Sequence, residues 1–383
     1  MKTPPAMRAL LRVLLVFIFS APLAGIGADK PTAAPAIRSE LAPRSLLLDV
    51  AAAGQRLVAV GEQGHIIFSD DGGAGWTHAT VPASLMLTSV CFATPQQGWA
   101  VGHEGLILTT ADGGENWSIQ LDGRAIAERQ VQQATARVVE LQAALADLDE
   151  QADREEAEFA VEDAQFVLED AEAVLADGIT TPLLGVACFA DSQAYAFGAY
   201  GLLLQTTDAG ENWALISSRI ENPADYHFYG MARLQSGALI IAGEAGSLHR
   251  SRDDGETWQR LRAGYEGSLF GVIAPTDGSA IVFGLRGNIF RSTDEGDTWR
   301  PIRSPSQATL LGGTQLPGGI SALVGAGGTL LLSHDQGQTF EIMSTGSRRP
   351  FSSVYANGAG GLLLVGFGGV SVVDYGRPDG AGD

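Results

Sequence analysis

The chain has 383 residues, of which 44 are acidic and 24 basic, giving a net charge of −20, and 45% of it is hydrophobic. The acid excess excludes a general attraction to nucleic acid or to an anionic membrane surface, and the apolar fraction excludes a chain that stays largely unfolded. With 49 glycines and six tryptophans, many short strands joined by tight turns are expected, so the fold class reads as all-β.

Residues 1–28 have the three-part layout of a secretory signal: Lys2, Arg8 and Arg12, then the apolar run Leu10 to Phe19, then small residues from Ser20 to Ala28. That run is too short to span a bilayer permanently, although a retained N-terminal anchor is the competing reading. The mature chain is expected to be exported, periplasmic and soluble. Cys91 and Cys188 sit in the similar contexts Val90-Cys91-Phe92 and Ala187-Cys188-Phe189, and each reads as a small buried strand residue. An oxidising compartment permits a disulfide between them, but spacing alone does not require one.

Beyond the signal, Gly-x-x-Gly units begin at Gly61, Gly102, Gly198, Gly243, Gly284, Gly325 and Gly366, spaced by 41, 96, 45, 41, 41 and 41 residues. A period near 41 fits a four-stranded propeller blade, and removing one period from the 96 leaves an insertion of 55 residues after the second unit. Six units run on into an aspartate box, whose Asp, Gly and aromatic positions are Asp71-Gly73-Trp76, Asp112-Gly114-Trp117, Asp208-Gly210-Trp213, Asp253-Gly255-Trp258, Asp294-Gly296-Trp299 and Asp335-Gly337-Phe340. Such an Asp can accept hydrogen bonds from its own turn, the Gly takes a conformation closed to other residues, and the aromatic ring packs beneath, so the boxes read as structural staples and not as catalytic acids.

In the first unit the expected strands are Ser45 to Ala52, Arg56 to Val60, His65 to Ser69 and Trp76 to Val81. The last unit offers three, Phe351 to Ala356, Leu362 to Val365 and Val370 to Val373, with no aspartate box after Asp374. An unpaired edge would be left there, so Ala36 to Ala42 is expected to close the ring as the outer strand of the last blade. Propeller segments are thus expected at 36–123 and 179–375, with a disordered tail at 376–383.

Residues 124–178 form the insertion. Arg124 to Asp177 contains no Gly or Pro and predicts a helical hairpin. One apolar seam is Val131, Ala134, Val138, Leu141, Leu145 and Leu148; the other is Ala157, Val161, Ala164, Leu168, Ala171 and Leu175, with the polar stretch Asp147 to Glu156 between them. The insertion holds 15 acidic residues and four arginines, so 11 of the 20 net negative charges lie here. Phe159, Phe166, Val167 and Val174 widen its apolar surface beyond the seam, which favours a partner over a merely solvated face.

The paired Gly-x-x-Gly and aspartate-box units, their count of seven, and Arg286-Gly287-Asn288 make the chain resemble the bacterial neuraminidase-type Asp-box repeat proteins, and within them the photosystem II stability and assembly factor-like family. The likeness runs from Ser45 to Tyr375. It implies an exported seven-bladed propeller without enzymatic activity or cofactor, which binds membrane-protein assembly intermediates or, in non-photosynthetic bacteria, accompanies inner-membrane transporters of the resistance-nodulation-division type. The membrane would be met only through that protein partner. The helical hairpin and the acidic balance depart from the photosynthetic members.

In a propeller the Gly-x-x-Gly turns share a face with the blade-to-blade connections, here Arg219 to Tyr229, Arg262 to Ser268 and Met343 to Phe351, and binding usually concentrates in such loops. The candidate partner face is therefore Glu62, His103, Glu104, Tyr200, Glu244 and Arg286, together with Phe159 and Phe166 of the hairpin. The alternative is a glycoside hydrolase, because sialidases share the boxes. That reading needs converging arginines from among Arg38, Arg233, Arg250, Arg286 and Arg291, a Tyr–Glu pair or two facing carboxylates, and no such set is legible. Nor does any His or Cys group have metal-ligand spacing.

Overall fold

The computed structural model describes residues 34–148, 151–178, 181–189, 192–357 and 360–375, so the expected signal and tail lie outside the described residues. The described residues are mostly β, arranged as seven antiparallel sheets in which successive strands are neighbours; six of these sheets have four strands and the seventh has three. The first strands, among them Leu47–Ala53, Leu87–Phe92, Leu183–Phe189 and Phe351–Ala356, each lie against that of the next sheet, and the seventh lies against the first, closing a propeller-like ring. Across that closure the Ser352 hydroxyl donates to the Leu47 carbonyl oxygen at 2.8 Å.

Second strands are buried on both faces, which is why they read as unbroken apolar runs: Val58, Ala59 and Val60 are fully buried, as are Ile281 and Val282. Each such Val or Ile contributes about 1.5–3 kcal/mol relative to an exposed one. The outer strands are shorter than expected. In the first sheet the outer strand is Thr77–His78, because the residues after it turn to other partners: Thr80 bonds with Glu115 and Trp117 of the second aspartate box, and the Val81 carbonyl oxygen accepts the Ala36 N–H.

Three expectations are corrected. First, Cys91 and Cys188 form a disulfide, with Cα atoms 5.8 Å apart; they lie on the first strands of sheets 2 and 3, which the ring brings side by side. The bridge spans the whole hairpin insertion, a sequence separation of 97. Second, Ala36 to Ala42 is not a strand of the seventh sheet. Ala36 instead donates its N–H to the Val81 carbonyl oxygen at 3.1 Å, and Ala42–Arg44 makes a short 3₁₀ turn packed on the third strand of sheet 7 (Gly369–Asp374). This segment fills the place that a sheet-to-sheet connection fills elsewhere. A Cβ on Gly369 would collide with the Pro43 carbonyl oxygen, just as one on Gly64, Gly246, Gly287 or Gly328 would collide with the carbonyl oxygen of Ala83, Tyr265, Ser306 or Ser347. Third, the second helix of the insertion begins at Gln151, inside the expected polar separator, since Gln, Glu and Arg favour helix whatever their polarity.

The hairpin comprises α1 (Gly123–Ala146) and α2 (Gln151–Asp177), placed between the last strand of sheet 2 and the first of sheet 3. Asp122 caps α1 by accepting the Ala125 N–H at 2.9 Å, and Gly178, at φ +90°, ends α2. Ala134 and Val138 of α1 and Val161 and Ala164 of α2 are buried, as the two seams require. Among the described residues no helix is long and apolar enough to cross a membrane.

Candidate interaction face

The Gly-x-x-Gly turns gather on one face. In each of the first six the third residue is left-handed: Gln63, Glu104, Tyr200, Ala245, Arg286 and Gly327 have φ between +51° and +66°, and the glycine that follows is left-handed too. Two consecutive positive φ values reverse the chain in the least space and aim the third residue outwards. Gln63, Glu104, Tyr200 and Arg286 are accordingly exposed. The hairpin rises from this same face, because α1 starts against the His103–Gly105 turn and a Cβ on Gly105 would stand 2.9 Å from the Gly123 Cα. Ile126 at its base is buried in one cluster with Ile107, Leu121 and Leu202, and the Gln133 amide donates to the Leu215 carbonyl oxygen of sheet 3 at 2.7 Å.

The residues singled out in the sequence divide into two groups. Glu62 and Glu244 are spent on the backbone: Glu62 accepts the Leu46 N–H at 2.9 Å and Glu244 the His227 N–H at 3.3 Å, each holding the incoming connection. His103, Glu104, Tyr200 and Arg286 stay exposed at turn tips on sheets 2, 3 and 5, while Phe159 and Phe166 lie higher on α2, 70% and 59% exposed.

The sequence did not single out an aromatic chain beginning at Tyr200. Its ring lies 4.9 Å from His227, His227 lies 6.3 Å from Tyr229, and Tyr229 lies 5.0 Å from Phe270. The Tyr200 N–H donates to His227 Nδ1 at 3.0 Å, so that nitrogen is an acceptor and the proton of the neutral ring is on Nε2. Tyr229 and Phe270 occupy the irregular step near the start of their first strands, between register pairs, where the extra residue re-aims its side chain and the two rings meet. A bulge was the signal to seek, but register is not legible from one strand.

One level deeper, Asp49 joins sheets 1 and 2, accepting from the Ser89 hydroxyl at 2.8 Å and the Val90 N–H at 3.0 Å. Burial pushes its carboxyl above the usual range despite these bonds.

On the opposite face the box aspartates close their own turns. Asp294 accepts from the Ser292 hydroxyl at 2.7 Å and from the Thr298 N–H and hydroxyl at 2.9 and 2.5 Å. All six box carboxyls, at Asp71, Asp112, Asp208, Asp253, Asp294 and Asp335, are held below the usual carboxylate range. The Thr298 hydroxyl and N–H bring Asp294 down to about 2. At Asp112 and Asp335 desolvation pulls the other way and is outweighed by the bonds of the turn. Trp76 and Trp117 donate their indole N–H to the Gly73 and Gly114 carbonyl oxygens, whereas Trp213 donates to the Gln120 side chain at 2.9 Å. Trp117, Trp213 and Phe340 are buried; Trp76, Trp258 and Trp299 are half-buried.

The arginines considered for a hydrolase site do not converge. Arg38 donates to Thr80, Arg233 pairs with Asp254, Arg250 with Asp297 and Arg291 with Asp277, while Arg286 is exposed at its turn tip with no ion pair among the described residues. Arg250 and Arg291 are sheet-to-sheet ties, reaching the carbonyl oxygens of Glu295 and Gln336 in the following box, as Gln205 reaches that of Asp254. Among the described residues no three His, Cys, Asp or Glu side chains group as metal ligands would.

The model of the family described as photosynthesis system II assembly factor YCF48 matches residues 33–165 and 171–315. The chain belongs to this family. Among solved structures, one titled "YCF48 bound to D1 peptide" superposes with a TM-score of 0.60 at 18% identity, covering 91% of this chain and all (100%) of that one. YCF48 from Cyanidioschyzon merolae gives 0.57 at 14% identity, covering 87% and 96%, and the WD40 propeller domain of Doa1 gives 0.58 at 12%, covering 91% and 97%. At these identities the likeness shows the fold, a YCF48-like propeller. No curated protein sequence matches the chain significantly.

Proposed function

We propose that this protein is an exported, non-catalytic scaffold, a seven-bladed propeller with a helical hairpin between its second and third blades, which docks onto a membrane-protein complex in the periplasm. The observation that carries the proposal is the common face: the outward turn tips and the hairpin rise from one side of a rigid ring, and the hairpin holds Phe159 and Phe166 exposed at 70% and 59%. A monomer leaves such aromatics in water at a cost that a partner removes. Family membership supports a protein partner, as does the relative solved with a bound peptide, and the Cys91–Cys188 bridge supports an oxidising compartment. We take the partner to be an inner-membrane transporter or an assembly intermediate. Isolation of the tagged chain from membranes, with and without residues 124–177, tests the proposal: complex partners should be recovered with the full chain and lost with the deletion. Equal recovery from both would remove the hairpin from the mechanism.

A further inference from the structure

The two flanks of α2 differ in kind. At 3.6 residues per turn, Phe159, Phe166, Val167 and Val174 fall within one arc of about 100°, running from beside the seam buried against α1 (Val167, Val174) round to the side of α2 opposite it (Phe159, Phe166). They are 70%, 59%, 55% and 40% exposed, so the two phenylalanines stand mostly in solvent while the two valines are partly covered. The other flank carries Glu158, Gln165, Glu169 and Glu172, all exposed. A helix that needed only to stay soluble would have no reason to sort its residues this way. From Phe159 to Val174 the apolar flank runs about 22 Å, the length of roughly four helical turns.

Between the apolar residues of this flank stand the exposed carboxylates Asp163 and Asp170. The ion pairs of the hairpin use Glu128, Glu140 and Glu158, so neither aspartate has an ion-pair partner among the described residues, although Arg137, paired with Glu140, lines the same cleft as Asp163. The flank is therefore apolar along its length and negative between its apolar steps. A second copy of this chain would set 11 net negative charges of one hairpin against 11 of another, which argues against self-association. On α1 the same flank holds Gln133, whose amide donates to the Leu215 carbonyl oxygen of sheet 3.

We infer that this flank of the hairpin receives a basic amphipathic helix of the partner protein, with apolar side chains laid against Phe159, Phe166, Val167 and Val174 and lysines or arginines against Asp163 and Asp170. The inference rests on the docking function proposed above and specifies the chemistry of what docks. An anionic membrane is the wrong surface for it, because the carboxylates of the flank would be repelled.

The test uses the full exported chain and a fluorescein-labelled 18-residue peptide with a leucine heptad flanked by lysine and arginine. One control peptide has glutamate at every basic position and a second has two central prolines; anionic phosphatidylglycerol vesicles form a separate arm. Fluorescence anisotropy should show binding of the basic helix alone, weakening with salt. Phe159→Ser with Phe166→Ser should weaken it at least about 10-fold, Asp163→Asn with Asp170→Asn about 3- to 10-fold, and Ile342→Ser, an exposed apolar residue of an outer strand, not at all. Circular dichroism confirms that the variants keep their helices. Equal binding of the three peptides, or wild-type affinity in the Phe pair variant, overturns the inference. So does vesicle binding that the Phe pair variant abolishes, or a dimer seen by light scattering that it dissolves. If deletion of 124–177 abolishes recovery of the membrane complex but Phe159→Ser with Phe166→Ser leaves it intact, the docking function stands and this inference falls.

Discussion

The Cys91–Cys188 bridge closes the loop that contains the helical hairpin, and its contribution follows from the size of that loop. The separation is 97 residues. Cross-linking a loop of that size removes denatured-state entropy worth about 4.7 kcal/mol at 25 °C. A chain this long unfolds with an entropy on the order of 0.7 kcal/mol/K, so loss of the bridge should lower the melting temperature by roughly 6 °C. The figure is an upper bound, since the α1–α2 hairpin can form locally in the unfolded chain and shorten the effective loop. The assay is calorimetry of the mature protein with and without reductant, beside Cys91→Ala with Cys188→Ala, with free thiols counted in each sample. Reduced wild type and the double variant should melt together, below the oxidised form. If complete reduction leaves the transition unmoved, the reasoning fails, and the joint between sheets 2 and 3 is held by Thr88, whose hydroxyl donates to the Leu183 carbonyl oxygen at 2.8 Å, and by strand packing alone.

Three further outcomes are expected. Because the box carboxyls are depressed in the folded state, their stabilisation is present above the ordinary value near 4 and is lost as pH falls through the folded values, to about 2 for Asp294; the urea midpoint should drop between pH 4 and 2, and less steeply in Asp294→Asn. Gly287→Ala, left-handed at φ +70° and against the Ser306 carbonyl oxygen, should cost well over the roughly 1–2 kcal/mol of the left-handed conformation alone, which is all that Gly327→Ala, at φ +66° with open space around it, should lose in a denaturant titration. Removing residues 34–44 strips fully buried Ala42 and the Pro43 contact from sheet 7, and should lower thermal stability even though no strand is removed; an unchanged melting temperature would mean that the seventh sheet needs no cover.

The repeat was legible because its requirements are local. A turn with two left-handed residues calls for Gly at a fixed place, an Asp closing its own loop calls for Ser or Thr two residues before it, and a doubly buried strand calls for an apolar run. The same holds for the hairpin, where helix propensity and an apolar seam lie within one stretch of chain. Even the N-terminal segment left a trace that a strand reading passes over: Pro43 stands four residues before the first strand of its sheet, as Ala83, Tyr265, Ser306 and Ser347 stand before theirs.

Tertiary structure decided what depends on distance between segments far apart in sequence. Glu62 and Arg286 look alike as charged turn residues, yet one is held by Leu46 and the other projects into solvent. Tyr229 and Phe270 become neighbours only through a bulge in each of two strands, and the arginines disperse because each reaches for the sheet beside it. The sequence by itself determined the period, the strands, the staples and the helical hairpin, since local backbone and packing rules act within about 40 residues. Only closure of the ring decided that Cys91 meets Cys188, that residues 42–46 stand in for a connection, and which turn residues remain free, because those are facts about separation in space that no stretch of sequence encodes alone.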